Sequence, residues 1–366
     1  MKKEKIKTGI AYGLCASVLI AGIYYYQTDQ ENKKEKTQSI TYLDVGFDTV
    51  VNFSSTCTEK EFETYSQIVR DTFSQYNQYF DLYNAYEGVN NINKINQEAY
   101  QNPISIDAPL EDCIQLAMKV NLENRKFDIS QGKLLNVWHT FREQGMALNQ
   151  EGKDGILPSK EILDQAYNPN INGIALENHA ISFTESSVQL DLGGIAKGYT
   201  AQKAKEKLWE AGCDNGYINA GGNVVLLGEK TDGTSWKIGV ESPKGGTALF
   251  SIETQKPTSM VASGDYQRYF MVEGQMYGHI IDPDTRYPAK HFRSVTILHE
   301  DSGLADAYST LLFTMDFETG YLFAKKHNLD VTWIMDQNSI GNLTPDFVSG
   351  DFAIFCTDSL KDRIQI

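Results

Sequence analysis

Cysteine is scarce in this chain of 366 residues, and its five cysteines are scattered, with no CxxC spacing among them. That distribution argues against a zinc cluster and against a disulfide framework, and it leaves small buried thiols as the plain reading of Cys57, Cys113, Cys213 and Cys356. An excess of basic charge is also lacking: 33 Lys and Arg stand against 48 Asp and Glu, a formal net charge of -15. A nucleic-acid binder would need a basic footprint, so nucleic acid is excluded as a partner. No internal repeat or low-complexity tract is present, which removes solenoids and arrays. With 41% hydrophobic content the chain has enough apolar material for a sizeable core.

Lysine is concentrated at the amino terminus. Lys2, Lys3, Lys5 and Lys7 precede an uncharged run from Thr8 to Tyr26, long enough to span a bilayer, and the lysines place the amino terminus inside and the rest of the chain outside. A cleaved secretory signal is the rival, but small residues at cleavage spacing are hard to find before Tyr24-Tyr25-Tyr26. Cys15 follows Tyr12-Gly13-Leu14, a poor match to a lipoprotein-processing site. Residues 1–27 are therefore expected to be a membrane anchor, uncleaved in preference to cleaved. Residues 28–39, polar and without periodicity, read as a tether, and 40–366 as an extracytoplasmic folded domain.

Within that domain, Tyr42 to Phe53 reads as a strand. Phe62, Tyr65, Val69, Phe73, Tyr76 and Phe80 recur at three- and four-residue spacing, which predicts a helix packed on a sheet. Asp81 to Asn96 reads as a loop, and Pro109 opens a helix ending near Asn124. Further helices are expected over Lys160 to Ala166, Tyr199 to Ala211, Ala305 to Leu312 and Glu318 to Lys326. Two strands are expected between Gly173 and Leu192, one from Tyr217 to Leu227 broken at Gly221-Gly222, and several from Trp236 to Thr296. The simplest organisation is a single mixed α+β domain behind the anchor.

Four clusters could carry chemistry. Leu190 to Tyr199 puts one carboxylate, Asp191, three glycines and Lys197 where a loop enters a helix, a setting that suits a phosphate-bearing ligand. Read alone it is equally a tight turn with glycines in unusual dihedrals. Lys126-Phe127-Asp128-Ile129-Ser130 sets a carboxylate beside an aromatic, although a lone Asp there is more often a turn residue. Ser263-Gly264-Asp265-Tyr266-Gln267-Arg268-Tyr269 is followed by His279-Ile280-Ile281-Asp282-Pro283. There His279 falls on an apolar strand before a turn, either structural or a general base. In Ala305-Asp306-Ala307-Tyr308-Ser309-Thr310, Asp306 and Thr310 lie on one helical face and offer two oxygens to a hard cation such as Mg2+; capping is the bland alternative.

In order and wording these strings resemble the ApbE-type FAD:protein FMN transferase family, over about Leu43 to Phe355. Asp191 to Gly198, Gly221-Gly222, Ser263 to Tyr266, His279 to Pro283 and the Ala305 to Thr310 helix start match its motifs in sequence. The resemblance implies a mixed fold of ApbE type, FAD as FMN donor with Mg2+, and transfer of FMN to a Ser or Thr of a target flavoprotein outside the membrane. Carried over by motif, Asp191, Lys197, Asp128, the backbone of Lys126 and Phe127, and Ile281 would contact FAD. Asp306, Thr310 and the Gly194 carbonyl would hold the metal, with Ser309 where some members have a third acidic ligand. Phe47 and Tyr83 would line the flavin pocket.

His279 is the candidate for taking the proton of the incoming hydroxyl, with AMP as leaving group. Water in place of that hydroxyl would make an FAD pyrophosphatase, and loss of turnover a non-catalytic flavin-binding protein. Two further departures stand out: Arg286 where the family commonly has Gly, and Asn223 where many members have Asp.

Overall fold

The computed structural model describes residues 34–366. The expected anchor and the first half of the expected tether, 28–33, lie outside the described residues. Among those described, no helix is long and apolar enough to cross a membrane.

Nine strands build the central sheet. Their spatial order is β1 (Lys36–Tyr42), β2 (Val51–Cys57), β3 (Tyr217–Ala220), β4 (Asn223–Leu226), β5 (Ser259–Gly264), β6 (Ser294–His299), β7 (Asp330–Asp336), β9 (Phe352–Cys356) and β8 (Phe347–Ser349). Every neighbouring pair is antiparallel. Side chains alternate between the faces as the pleat requires. On β7, Val331, Trp333 and Met335 join the helical core, while Ile334 points to the other side. There Ile238, Val240, Phe250 and Ile252 from a small three-stranded sheet cover it.

Helices cover the first face. Helix α1 (Glu59–Phe80) starts at a capping box of Thr58 and Glu61 and buries Tyr65, Val69, Phe73, Tyr76 and Phe80. Then come α2 (Ile92–Glu98), α3 (Ala108–Glu123), α4 (Gly132–Gln150), α5 (Lys160–Ala166), α6 (Ala196–Glu210), α7 (Ser302–Phe313) and α8 (Phe317–Lys326). Of these, α4 and α5 are the exception and pack in a cluster of their own. Pro109 does sit in the first turn of α3, and Gly212 takes a φ of 92° just past α6. Gly221 and Gly222, with φ of 57° and 93°, turn β3 into β4. Cys57, Cys113, Cys213 and Cys356 are free and buried.

Several expectations are corrected. Tyr42 to Phe53 is not one strand: β1 and β2 form a hairpin, and between them Gly46, Phe47 and Asp48 turn the chain with φ of 97°, 61° and 48°. The end of the expected tether, Lys36 to Ser39, is part of β1 and pairs with Cys57 to Ser54. Helix α2 occupies the end of the expected Asp81 to Asn96 loop, capped by Asn91. Helix α4, of 19 residues, was not foreseen. It lacks a side-chain N-cap, and its buried residues are only Gly132, Leu134, Trp138 and Gly145, so neither signal marks it. A hairpin of Tyr269–Val272 and Gln275–Gly278 packs on it. A Cβ at Gly145 would stand 2.3 Å from the Phe270 ring, which is why glycine is there.

Candidate active site

Two helices meet at Gly198. A Cβ there would stand 2.2 Å from the Ser302 carbonyl oxygen and 2.5 Å from Asp306 Cβ, so only glycine lets α6 approach α7 this closely. Asp301 caps α7 by accepting from the Leu304 amide, which sets Asp306 in an early turn, facing α6. The Gly198 amide donates to Asp306 Oδ2 at 2.7 Å, and Lys197 Nζ lies 3.8 Å from the same oxygen. Burial pushes the Asp306 carboxyl up from the usual range, opposed by Lys197, the Gly198 amide and the Asn223 side chain.

The glycines of this loop do a different job from the one the sequence suggested. Gly193, Gly194 and Gly198 all avoid positive φ. The Gly193 amide donates to Asp191 Oδ1, and those of Ile195 and Ala196 to the Leu192 carbonyl. These amides are therefore engaged within the protein, and the glycines serve close packing. At Gly194 a Cβ would meet Phe127 Cε2 at 3.1 Å and Thr310 Oγ1 at 3.3 Å, so the loop backbone lies directly against Thr310.

Asp306, the Thr310 hydroxyl and the Gly194 carbonyl, the expected metal ligands, would offer an oxygen-only donor set with one carboxylate. Among the described residues there is no group of three or more His, Cys, Asp or Glu that could hold a metal. A single carboxylate fits Mg2+, which ordinarily takes one or two from the protein and the rest from water and substrate phosphate. The Ser309 hydroxyl is buried; it donates to the Asp306 carbonyl at 2.9 Å and pairs with Ser263 Oγ at 2.8 Å. It ties α7 to β5 and so gives Ser263 a structural task.

Asp191 lies in a second cluster. Its carboxyl is raised by burial, against the Gly193 amide, His139 and Arg142. The Tyr83 ring lies 4.9 Å from that of His139, and Arg142 Nη2 donates to His139 Nδ1 at 2.8 Å. His279 sits just past the strand that ends at Gly278, rather than on it. Its Nδ1 is buried with no partner. Burial first, then Arg268, Arg142 and Lys197, push its pKa down to about 3, so the imidazole is neutral at pH 7.

The remaining predicted residues are held by their neighbours. Lys126 Nζ donates to Asp282 Oδ1 at 2.7 Å and to the Thr314 carbonyl at 3.1 Å, with Asp284 Oδ2 at 3.0 Å. Asp128 accepts from the Ser130 amide and hydroxyl, a turn-forming arrangement. Ile281 is buried with Leu134, Trp138 and Phe270 and bridges to Pro288. Phe47 packs on Phe73 and Phe80, with its amide on Asn77 Oδ1. Arg286 adopts the turn despite its Cβ, at φ 64°; it pairs with Asp164 and lies over the Tyr167 ring at 4.6 Å. His139 and Arg142 carry no sequence signal, because α4 has neither a capping side chain nor a long buried stripe to mark it.

The sequence pattern of the ApbE family matches residues 47–334. The chain is 29% identical over 250 residues to the FAD:protein FMN transferase of Klebsiella pneumoniae, covering 66% of this chain and 74% of that one. It is 30% identical over 241 residues to the FAD:protein FMN transferase of Haemophilus influenzae, covering 64% and 68%. An ApbE protein from Thermotoga maritima superposes with a TM-score of 0.71 at 27% identity, over 81% of this chain and 94% of the other. The flavin transferase ApbE of Vibrio cholerae gives 0.71 at 21% identity, over 90% and 99%, a likeness of fold.

Proposed function

This chain belongs to the ApbE family, and from that premise we propose that it is an FAD:protein FMN transferase, joining FMN through its phosphate to a Ser or Thr hydroxyl of a target flavoprotein. The observation that carries the reading is the buried Asp306 beside Lys197, Gly198 and Thr310. A carboxylate kept this dry, with one cation as partial compensation, is suited to accept a divalent ion together with a polyanionic substrate.

In this reaction the acceptor oxygen attacks the FMN phosphorus, the bond from that phosphorus to the bridging oxygen breaks, and AMP leaves with the electron pair. The acceptor proton goes to His279, which is neutral and has a free buried Nδ1. A bound Mg2+ supplies charge neutralisation on the pyrophosphate. Asp306, Thr310 and the Gly194 carbonyl would hold it, and Lys197 would add a compact positive charge. Asp191, Asp128, the Lys126 and Phe127 backbone, Ile281, Phe47 and Tyr83 would seat FAD. Burial is the larger cause of the low His279 basicity, and the negative charge of FAD would offset the part that comes from Arg268, Arg142 and Lys197.

The amino-terminal lysines and the apolar run Thr8 to Tyr26 support a membrane-held enzyme acting outside the cytoplasm on flavoprotein subunits. Incubation with FAD and Mg2+, with and without an acceptor protein, tests the reaction class. A covalent mass gain on the acceptor supports transfer, whereas FMN release without acceptor means hydrolysis and FAD binding without turnover a mere binding protein.

A further inference from the structure

Helix α4 carries two side chains, His139 and Arg142, whose charges act on Asp191. His139 and Arg142 are three residues apart and so share a helix face. A guanidinium can only donate, so the bond from Arg142 Nη2 makes His139 Nδ1 an acceptor and leaves the ring proton of the neutral imidazole on Nε2. Burial and then Arg142 lower the proton affinity of His139, which keeps it in that neutral form. The Tyr83 ring lies 4.9 Å away, tilted by 31°. Tyr83 nevertheless remains 55% exposed, so part of this two-ring platform is open to a flat partner.

Arg142 is incompletely answered. Its side chain is only 12% exposed, and its one carboxylate within ion-pair distance among the described residues is the adjacent Glu143, at 3.3 Å and itself 57% exposed. Its Nε is buried without a partner. A desolvated guanidinium with an unpaired N–H calls for an anion. The surroundings add positive charge, because Arg268 and Lys197 act on His279 together with Arg142. Asp191, a further acidic group acting on His139, is itself shifted by burial toward the neutral form.

We propose that His139 and Arg142 are substrate-binding residues of this chain: the Tyr83–His139 pair carries the isoalloxazine ring of FAD, and Arg142 grips its pyrophosphate. This rests on the reading of the site as an FAD site and adds a wall to it from α4. Riboflavin, which has the ring and no phosphate, separates the two contributions.

The test is a titration of the full chain with FAD and with riboflavin, followed by flavin fluorescence, in wild type, Arg142→Ala, His139→Ala and His139→Phe. Arg142→Ala should weaken FAD about tenfold to a hundredfold, the scale of a hydrogen bond to a charged group, and leave riboflavin unchanged, which also shows the pocket intact. His139→Ala should weaken both ligands, and His139→Phe, which keeps a ring, should restore most of the loss. Equal losses of FAD and riboflavin in Arg142→Ala, or wild-type FAD affinity there, would overturn the pyrophosphate role. Unchanged binding in His139→Ala, or a wild type that binds FAD but not riboflavin, would overturn the platform. A wild type that binds no FAD would instead overturn the flavin reading itself.

Discussion

Burial disfavours a charged imidazole, and at His279 the fields of Arg268, Arg142 and Lys197 add to it, bringing the pKa from 6.5 down to about 3. An unfolded chain takes up that proton near 6.5, so between the two values the unfolded state binds more protons and the native state loses stability as pH falls. His279→Gln should therefore flatten the acid side of the melting-temperature profile between about pH 4 and pH 6. If His279 takes the acceptor proton, His279→Ala should keep FAD binding and lower transfer by about a hundredfold or more; an unchanged rate would end that role.

Asp306 shifts the other way. Its raised carboxyl favours the native state in acid, and this contribution is lost as pH rises through its folded value, where a cation would restore it. Mg2+ should then raise the melting temperature where the Asp306 carboxyl is ionised and progressively less as acid protonates it, and Asp306→Asn should abolish that dependence. A Mg2+ shift retained in Asp306→Asn would remove Asp306 from the metal site. The motif singled out Asp306 and Lys197 as candidates, and the structure brings them together. Their short approach was not legible, because it depends on a neighbouring helix that spacing along the chain cannot reveal.

At the scale of elements, the contact of α6 with α7 is the one to disturb. A methyl at Gly198 would meet backbone at 2.2 Å, which cannot yield as a flexible side chain would. Gly198→Ala should cost about 1–3 kcal/mol or more in denaturant unfolding and weaken metal response along with it, since the Gly198 amide is a partner of Asp306. A variant as stable as wild type would mean the helices can separate freely. Arg286 shows the opposite tolerance: a left-handed backbone costs a non-glycine residue about 1–2 kcal/mol, and its pairing with Asp164 and the Tyr167 face offsets this. Elements with a strong apolar period, α1 above all, were readable in advance. Helix α4 was hidden because it buries little and has no capping side chain. The β1–β2 hairpin resembles one strand in sequence because Val45, Phe47 and Val50 carry strand-like chemistry through a turn set by backbone angles.

For the whole molecule, the nine-stranded sheet holds the site at one region of its helical face: β5 receives Ser309, α6 and α7 face each other, and the α4 hairpin unit brings His279 and Arg142. Order along the sequence foretold the mixed α+β class, whereas the loop it marked for a phosphate turns its Gly193, Ile195 and Ala196 amides inward. It could not give the antiparallel strand order or the meeting of residues such as Lys126 and Asp282, 156 positions apart, since tertiary pairing fixes both. The central claim is that these parts act together to move FMN onto protein. It is tested most directly by the mass of an acceptor flavoprotein incubated with this chain, FAD and Mg2+. The account predicts a covalent gain of one FMN with AMP released in equal amount, lost when the acceptor Ser or Thr is replaced; FMN appearing free in solution with the acceptor mass unchanged would contradict it.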